Sequence, residues 1–285
     1  MKQHKKAFIV WLVLIAALVA ATIMIGPAAS HEDVRVAMRD AVLHEENRVS
    51  LFGLMDVNPG LIAAIVINVT LLFIAELIRI FAIPKFTIVP GKFQLVLEQI
   101  VGLLDSQAGV KQPGKRTFVG AYIFAVGVYI FLGTLFELFG IQVPTTNGGT
   151  VTLPAPLSDV NGAICMGCLS YLVIVFGGAV GAGFHGVKAA LKEFSLPISM
   201  SFRLFGALLS GLLVTDLVYH YAVTSYAIPV AVGVIFTMLH AVIQTYVLTM
   251  LVGIYYNEVS EKPEPKPKKE KKPKKLRPRK SAQAN

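Results

Sequence analysis

Residues 201–211 read SFRLFGALLSG, one arginine set inside a long apolar run. A guanidinium stays charged at any working pH, so the solvent around Arg203 decides what kind of protein this is. Of 285 residues, 55% are hydrophobic and 15% charged, a balance that points to a membrane protein rather than a soluble domain. The formal net charge of +9 looks like a nucleic-acid signal until it is located. Residues 261–285 hold 11 Lys and Arg against 3 Glu, which leaves 15 basic and 14 acidic residues for the rest. The basicity is a property of the tail, and no nucleic-acid partner is expected.

Crossing a bilayer core takes about 20 apolar residues in a helix. Six runs approach that length: Ala7 to Ile25, Leu61 to Phe81, Phe118 to Phe139, Val160 to Ala182, Leu196 to Tyr219 and Ala227 to Tyr256. The charge of the connecting segments orients them, because short loops rich in Lys and Arg stay on the cytoplasmic side. Lys85, Lys92, Lys111, Lys115 and Arg116 follow the second run, Lys188 and Lys192 the fourth, and the basic tail the sixth, whereas 140–158 and 220–226 contain no Lys or Arg. The fold class expected is therefore an all-α, polytopic helical membrane protein with five to six spans.

Four regions follow. Residues 1–30, with Lys2, Lys5 and Lys6 ahead of the first run and Pro27-Ala28-Ala29-Ser30 behind it, read as a signal peptide or a retained anchor. Residues 31–59 form a polar outside segment in which Val34, Met38 and Val42 have the spacing of a short surface helix. Residues 60–258 form the membrane domain, and 259–285 a Pro-interrupted basic tail expected to be disordered and cytoplasmic. Inside the membrane domain, Val89-Pro90-Gly91-Lys92 is a turn. Beyond it Phe93, Leu97, Ile100, Val101 and Leu104 share one side of a helix and Gln94, Glu98 and Asp105 the other, the pattern of an amphipathic helix at the inner interface.

Some features carry less than they offer. Cys165-Met166-Gly167-Cys168 has redox or metal spacing, but without further Cys or a nearby His it reads as a pair of buried small hydrophobes. Glu76 and Arg79, three apart, read as a local pair or as snorkelling groups. No Walker loop, dinucleotide fingerprint or catalytic triad is present, so no cofactor, metal or nucleotide site is expected in this chain.

Ser195, Ser199, Gly206, Ala207 and Ser210 lie on the helical face of Arg203, and small residues at that spacing let another surface come close. In the sixth run Thr237, His240 and Gln244 make one polar stripe. Counted from the outer ends of the two runs, Arg203 is 16 residues in from Tyr219 and Gln244 is 17 in from Ala227. At ~1.5 Å per residue they sit at nearly the same level. A buried polar stripe level with an arginine reads as an ion pathway. A snorkelling arginine and a structural polar knot are the competing readings.

These residues resemble the a subunit of the membrane sector of F-type ATP synthase. The resemblance is carried by SLPISMSFRLFG at Ser195 to Gly206, IQTYVLTMLVGIYY at Ile243 to Tyr256, PLSDVNGA at Pro156 to Ala163 and VPGKFQ at Val89 to Gln94. It implies that the last two spans are long and tilted against a rotor ring. Arg203 would be the essential arginine facing the c subunits between two half-channels, Gln244 the glutamine opposite it, and Asp159 and Asn161 polar residues of the outer mouth. It also implies partners: the c ring, b-type peripheral stalk subunits and the soluble ATPase sector, assembled in the cell inner membrane.

This chain departs from the family pattern at three positions: Ala207 replaces an asparagine, and Leu212 and Thr237 stand where a titratable pair is usual. Asp216 and His220, together with His240, are the residues left to supply titratable groups in the outer half-channel. The alternative function is an independent secondary transporter or channel, for which a helix broken in mid-membrane would speak.

Overall fold

The computed structural model describes Val13 and residues 48–51, 55–108, 116–146, 148–220 and 228–261. The first run, the 34–42 helix and the tail beyond Glu261 lie outside the described residues.

Within the described residues the expected helices form. α1 spans Pro59–Leu77 and continues through a π turn at Ile78–Ala82 and a 3-10 turn at Ile83–Lys85. α2 spans Lys92–Ala108, α3 Arg116–Leu135 with a 3-10 turn to Phe139, and α4 Val160–Ala182. A nine-residue helix, α5, covers Phe184–Lys192, α6 runs Ser195–His220 and α7 Ile228–Ser260. Among the described residues four stretches are long and apolar enough to cross a membrane: Pro59–Lys85, Phe118–Phe139, Val160–Ala182 and Val230–Ser260. Phe184–Lys192 with Ser195–Gly211, bent by 50°, makes a fifth when counted as one span. Two short antiparallel hairpins accompany the helices, β1 (Val49–Leu51) with β2 (Met55–Val57) and β3 (Gln142–Pro144) with β4 (Thr150–Thr152). Thr146, between β3 and β4, donates its backbone N–H to Arg48 O at 3.1 Å and so ties the two hairpins together.

The surface is the reverse of a soluble protein's. Leu72, Phe73, Phe81, Leu172, Phe202 and Ile235 are exposed, while Thr134, Ser170, Thr237, Gln244, Thr245 and Thr249 are buried. Most of the buried hydroxyls are satisfied by their own helices. Thr134 donates to Ile130 O at 2.7 Å and Thr249 to Thr245 O at 2.6 Å, and Tyr122 and Ser170 share a 2.8 Å hydrogen bond between α3 and α4.

α5 lies where the sequence shows only a basic connection. Gly183, at φ 60° and ψ −137°, occupies a backbone region that side-chain-bearing residues avoid. The chain reverses there at once, and α5 runs back along α4. Gly186 and Gly178 meet backbone to backbone, and the Tyr171 hydroxyl donates to Ala190 O at 3.0 Å. α7 closes the same seam, with the Tyr256 ring over Gly177 and Ser260 against Gly181. Without a hydrophobic drive between helices in lipid, such close approach is the main attraction available.

One expectation is corrected, and one of the two readings of Glu76 and Arg79, the local pair, is set aside. Cys165 and Cys168 are exposed rather than buried, because α4 packs through Ala163, Gly167, Ser170 and Ile174 and leaves the cysteine side outward. Glu76 and Arg79 are both exposed and make no ion pair with each other among the described residues. In α2 only Leu97 and Leu104 of the apolar side turn inward, and Asp105 reaches α3 beside Gly120 with them. Phe93, Ile100 and Val101 stay exposed, as suits a helix whose apolar side meets lipid as well as protein.

The glycine seam makes a direct prediction. In Gly186→Val the new side chain meets the carbonyls of Gly178 and Val259, so thermal unfolding of the detergent-solubilised protein should show a loss of about 1 to 3 kcal/mol or more. Gly102→Ala, where nothing lies within 4 Å of an added Cβ, should leave the midpoint in place. Equal midpoints for the two variants would mean that the seam does not hold the bundle.

Candidate functional site

α6 presents Arg203 by a simple division of its surface. Pro197 falls in the first turn, where a missing N–H is tolerated. Leu196, Met200, Leu204 and Leu208, four apart, form the buried ridge. Ser201 is buried with them against Gly167 and donates to Pro197 O at 2.6 Å. Ser199, Phe202, Arg203, Gly206 and Ser210 are exposed, and an added Cβ at Gly206 would meet nothing within 4 Å. Arg203 thus lies exposed on this face, and among the described residues no carboxylate pairs with it. An unpaired guanidinium on an apolar helix is expensive in lipid, so this face calls for a polar or anionic neighbour.

α7 supplies the support behind it. Thr237, Ala241, Gln244, Thr245 and Leu248 face inward. Gln244, 4% exposed, donates Nε2 to Arg203 O at 3.4 Å. Further toward the C-terminal end of α6, the His240 ring of α7 lies against Gly211. Its neighbour Phe236 is at a ring-centroid distance of 6.0 Å. Arg203 and Gln244 do meet, then, but through the arginine's carbonyl rather than its guanidinium. The Gln244 Oε1 and Thr245 Oγ1 atoms are buried and have no hydrogen-bond partner among the described residues. Thr245 was not legible as a site residue; its only signal is a polar side chain next to Gln244.

The start of α4 forms a separate polar group. Asp159 caps α4 by position and is half-buried, and its Oδ1 accepts from Asn58 Nδ2 at 3.2 Å. Asn58 Oδ1 in turn accepts from Gly60 N at 2.8 Å and caps α1. One asparagine therefore ties the beginnings of two spans to one carboxylate. The sequence Asn58-Pro59-Gly60 carries the signature of such a cap, although its link to Asp159 is visible only in three dimensions. Beside it the buried turn Pro156–Ser158 packs among α1, α3, α4 and α6. Asn161 is exposed. No hydrogen bond joins Asp159 or Asn161 to Arg203 or Gln244 among the described residues. Asp216 and His220 fall on the last two turns of α6, and their side chains lie outside the described residues.

Residues 61–257 match the family model of the ATP synthase A chain. The match covers more than half of the 285 residues and takes in α1, which the motifs from Val89 onward leave out.

The orphaned Gln244 Oε1 sets an expectation. Leaving a buried acceptor unpaired costs about 1 to 3 kcal/mol, whereas an apolar group of similar shape can be neutral. Gln244→Met should therefore leave the unfolding midpoint of the solubilised protein close to the parent's, and Gln244→Glu, which removes the donor and buries a carboxyl group, should lower it. A loss in Gln244→Met as large as in Gln244→Glu would show that the amide's single donated bond is what matters.

Proposed function

The chain belongs to the ATP synthase A chain family, and on that premise we propose that it is the ion-translocating stator subunit of an F-type ATP synthase membrane sector. The observation that carries the proposal is the outward placement of Arg203 beside the open Gly206, with Gln244 gripping its backbone from behind. In this reading the exposed face of α6 and α7 meets the c ring. The guanidinium draws each deprotonated ring carboxylate past it and keeps the outer and inner half-channels apart. Its planar fork holds its charge without a proton to lose, so it releases a carboxylate that becomes protonated and takes up the next ionised one. The soluble ATPase sector and b-type stalk complete the assembly, in the inner membrane with the C-terminal tail cytoplasmic.

The break between α5 and α6 does not favour an independent transporter. It precedes α6, which then runs unbroken from Ser195 past Arg203 to His220. No half-helix end is left at the arginine to hold an ion.

Asp159 and Asn161 form the outer mouth in this reading. Asp216 with His220 and His240 replaces the titratable pair absent at Leu212 and Thr237. Asp216→Asn, whose amide does not titrate, is expected to slow ion flux in reconstituted vesicles. Flux equal to the parent's across pH would leave Asp216 no relay role.

Arg203→Ala and Arg203→Lys are both expected to insert and assemble yet lose almost all ion-driven ATP synthesis. Alanine removes the charge, and a lysine shortens the reach and sheds its proton more readily in a low-dielectric site. A snorkelling arginine gives the opposite result, because alanine would then relieve a cost of about 2.5 to 3.5 kcal/mol and leave synthesis intact. An alanine variant that assembles and makes ATP at the parent's rate would end the rotary reading.

A further inference from the structure

The outer face of α5 has no part in the site described above. Its inner face is fixed by Gly186 and Ala190 against α4. The opposite face exposes His185, Lys188 and Lys192. Flanking them are Phe184 at 86%, Leu191 at 59% and Phe194 at 64% exposure. None of the three basic side chains has a carboxylate partner among the described residues. The adjacent acid, Glu193, is half-buried and within electrostatic reach of Tyr171, on the packed side of the helix.

Position gives this face its meaning. α5 begins at Gly183, beside the Ala182 end of a 23-residue span, and runs back along that span toward Tyr171. Side chains on a helix lean toward its N-terminus, which here is the Ala182 end. The lysine stems therefore lie along the apolar surface and carry their amines toward the membrane boundary. A face turned wholly to water would not interleave Phe184, Leu191 and Phe194 with the charges. A face turned wholly to hydrocarbon would not hold two unneutralised ammonium groups.

We infer that the outer face of α5 binds the phosphate of an anionic phospholipid. Lys188 and Lys192 meet the headgroup, His185 adds a hydrogen bond at the rim, and Phe184, Leu191 and Phe194 lie along the acyl chains. The two lysines are one turn apart, so both reach one phosphate or two neighbouring oxygens of the same headgroup. The inference stands apart from the rotary reading, since it needs only a membrane-spanning chain.

The test is lipid retention by the full chain, purified from micelles containing equal phosphatidylglycerol and phosphatidylcholine and weighed intact by native mass spectrometry. The parent should keep phosphatidylglycerol in preference. Lys188→Gln and Lys192→Gln should reduce that preference roughly fivefold for each lysine lost, the scale of one basic side chain at an anionic surface. The double variant to arginine should keep it. Excess inorganic phosphate should not displace the lipid. Loss of the lipid to inorganic phosphate would assign the site to the free anion and overturn the inference. Absence of any preference in the parent, which needs no variant to fold, would overturn it as well, and so would a double glutamine variant that retains the parent's preference.

Discussion

The whole arrangement hangs on how closely α4 lets other helices come. At Gly178 and Gly186 two backbones touch, at Gly177 the Tyr256 ring packs against the helix, and at Gly181 the last turn of α7 rests on it. Helices in lipid gain little from hiding apolar surface, since the solvent is as apolar as they are; they gain from contact and from polar groups that find partners. A glycine row supplies the contact. It fixes α5 against α4 and α7 across them, and α6 then leaves α5 at a set angle with its buried leucine ridge inward. Arg203 is aimed by that chain of contacts, and among the described residues no bond to its own guanidinium takes part.

The polar groups follow the same economy of partners. The buried hydroxyls of Thr134, Ser170 and Thr249 turn back to carbonyls of their own helices, and so cost little where water is absent. Gln244 is different, because it donates across to α6 and keeps a bare oxygen. Among the described residues Arg203 has charge and no carboxylate partner, and Gln244 has an acceptor oxygen and no donor to it. The two groups lie on facing helices and at one level, which is why the proposed pathway is drawn through them.

Much of this was legible in the sequence, for a physical reason. Long apolar runs must be helical in a bilayer, and Val160–Ala182 has the same bounds in the structure as in the sequence. Arg203 and Gln244 could be levelled by counting residues, because α6 and α7 are antiparallel and regular. Direction of facing was not legible. Hydrophobicity does not separate a side chain that meets lipid from one that meets protein, so Cys165 and Cys168, expected buried, are exposed. α5 was hidden for another reason: nine residues with two lysines resemble a loop, and only the backbone at Gly183 shows that they fold back. The tie from Asn58 to Asp159 joins residues 101 positions apart, beyond any local pattern.

The packing of α7 also bears on how the chain comes to be built. Among the described helices α7 is the last to leave the ribosome, yet α3, α4 and α6 all lean on it, and burial continues to Val259 and Ser260 at its end. At ordinary rates of synthesis of about 5 to 20 residues per second, earlier helices wait seconds for their partner. Through that interval Gly177 and Gly181 lack the Tyr256 and Ser260 contacts that cover them in the finished structure. Insertion can proceed span by span, but the final shape is reached in one late step, when the thirty-third residue of the last helix arrives.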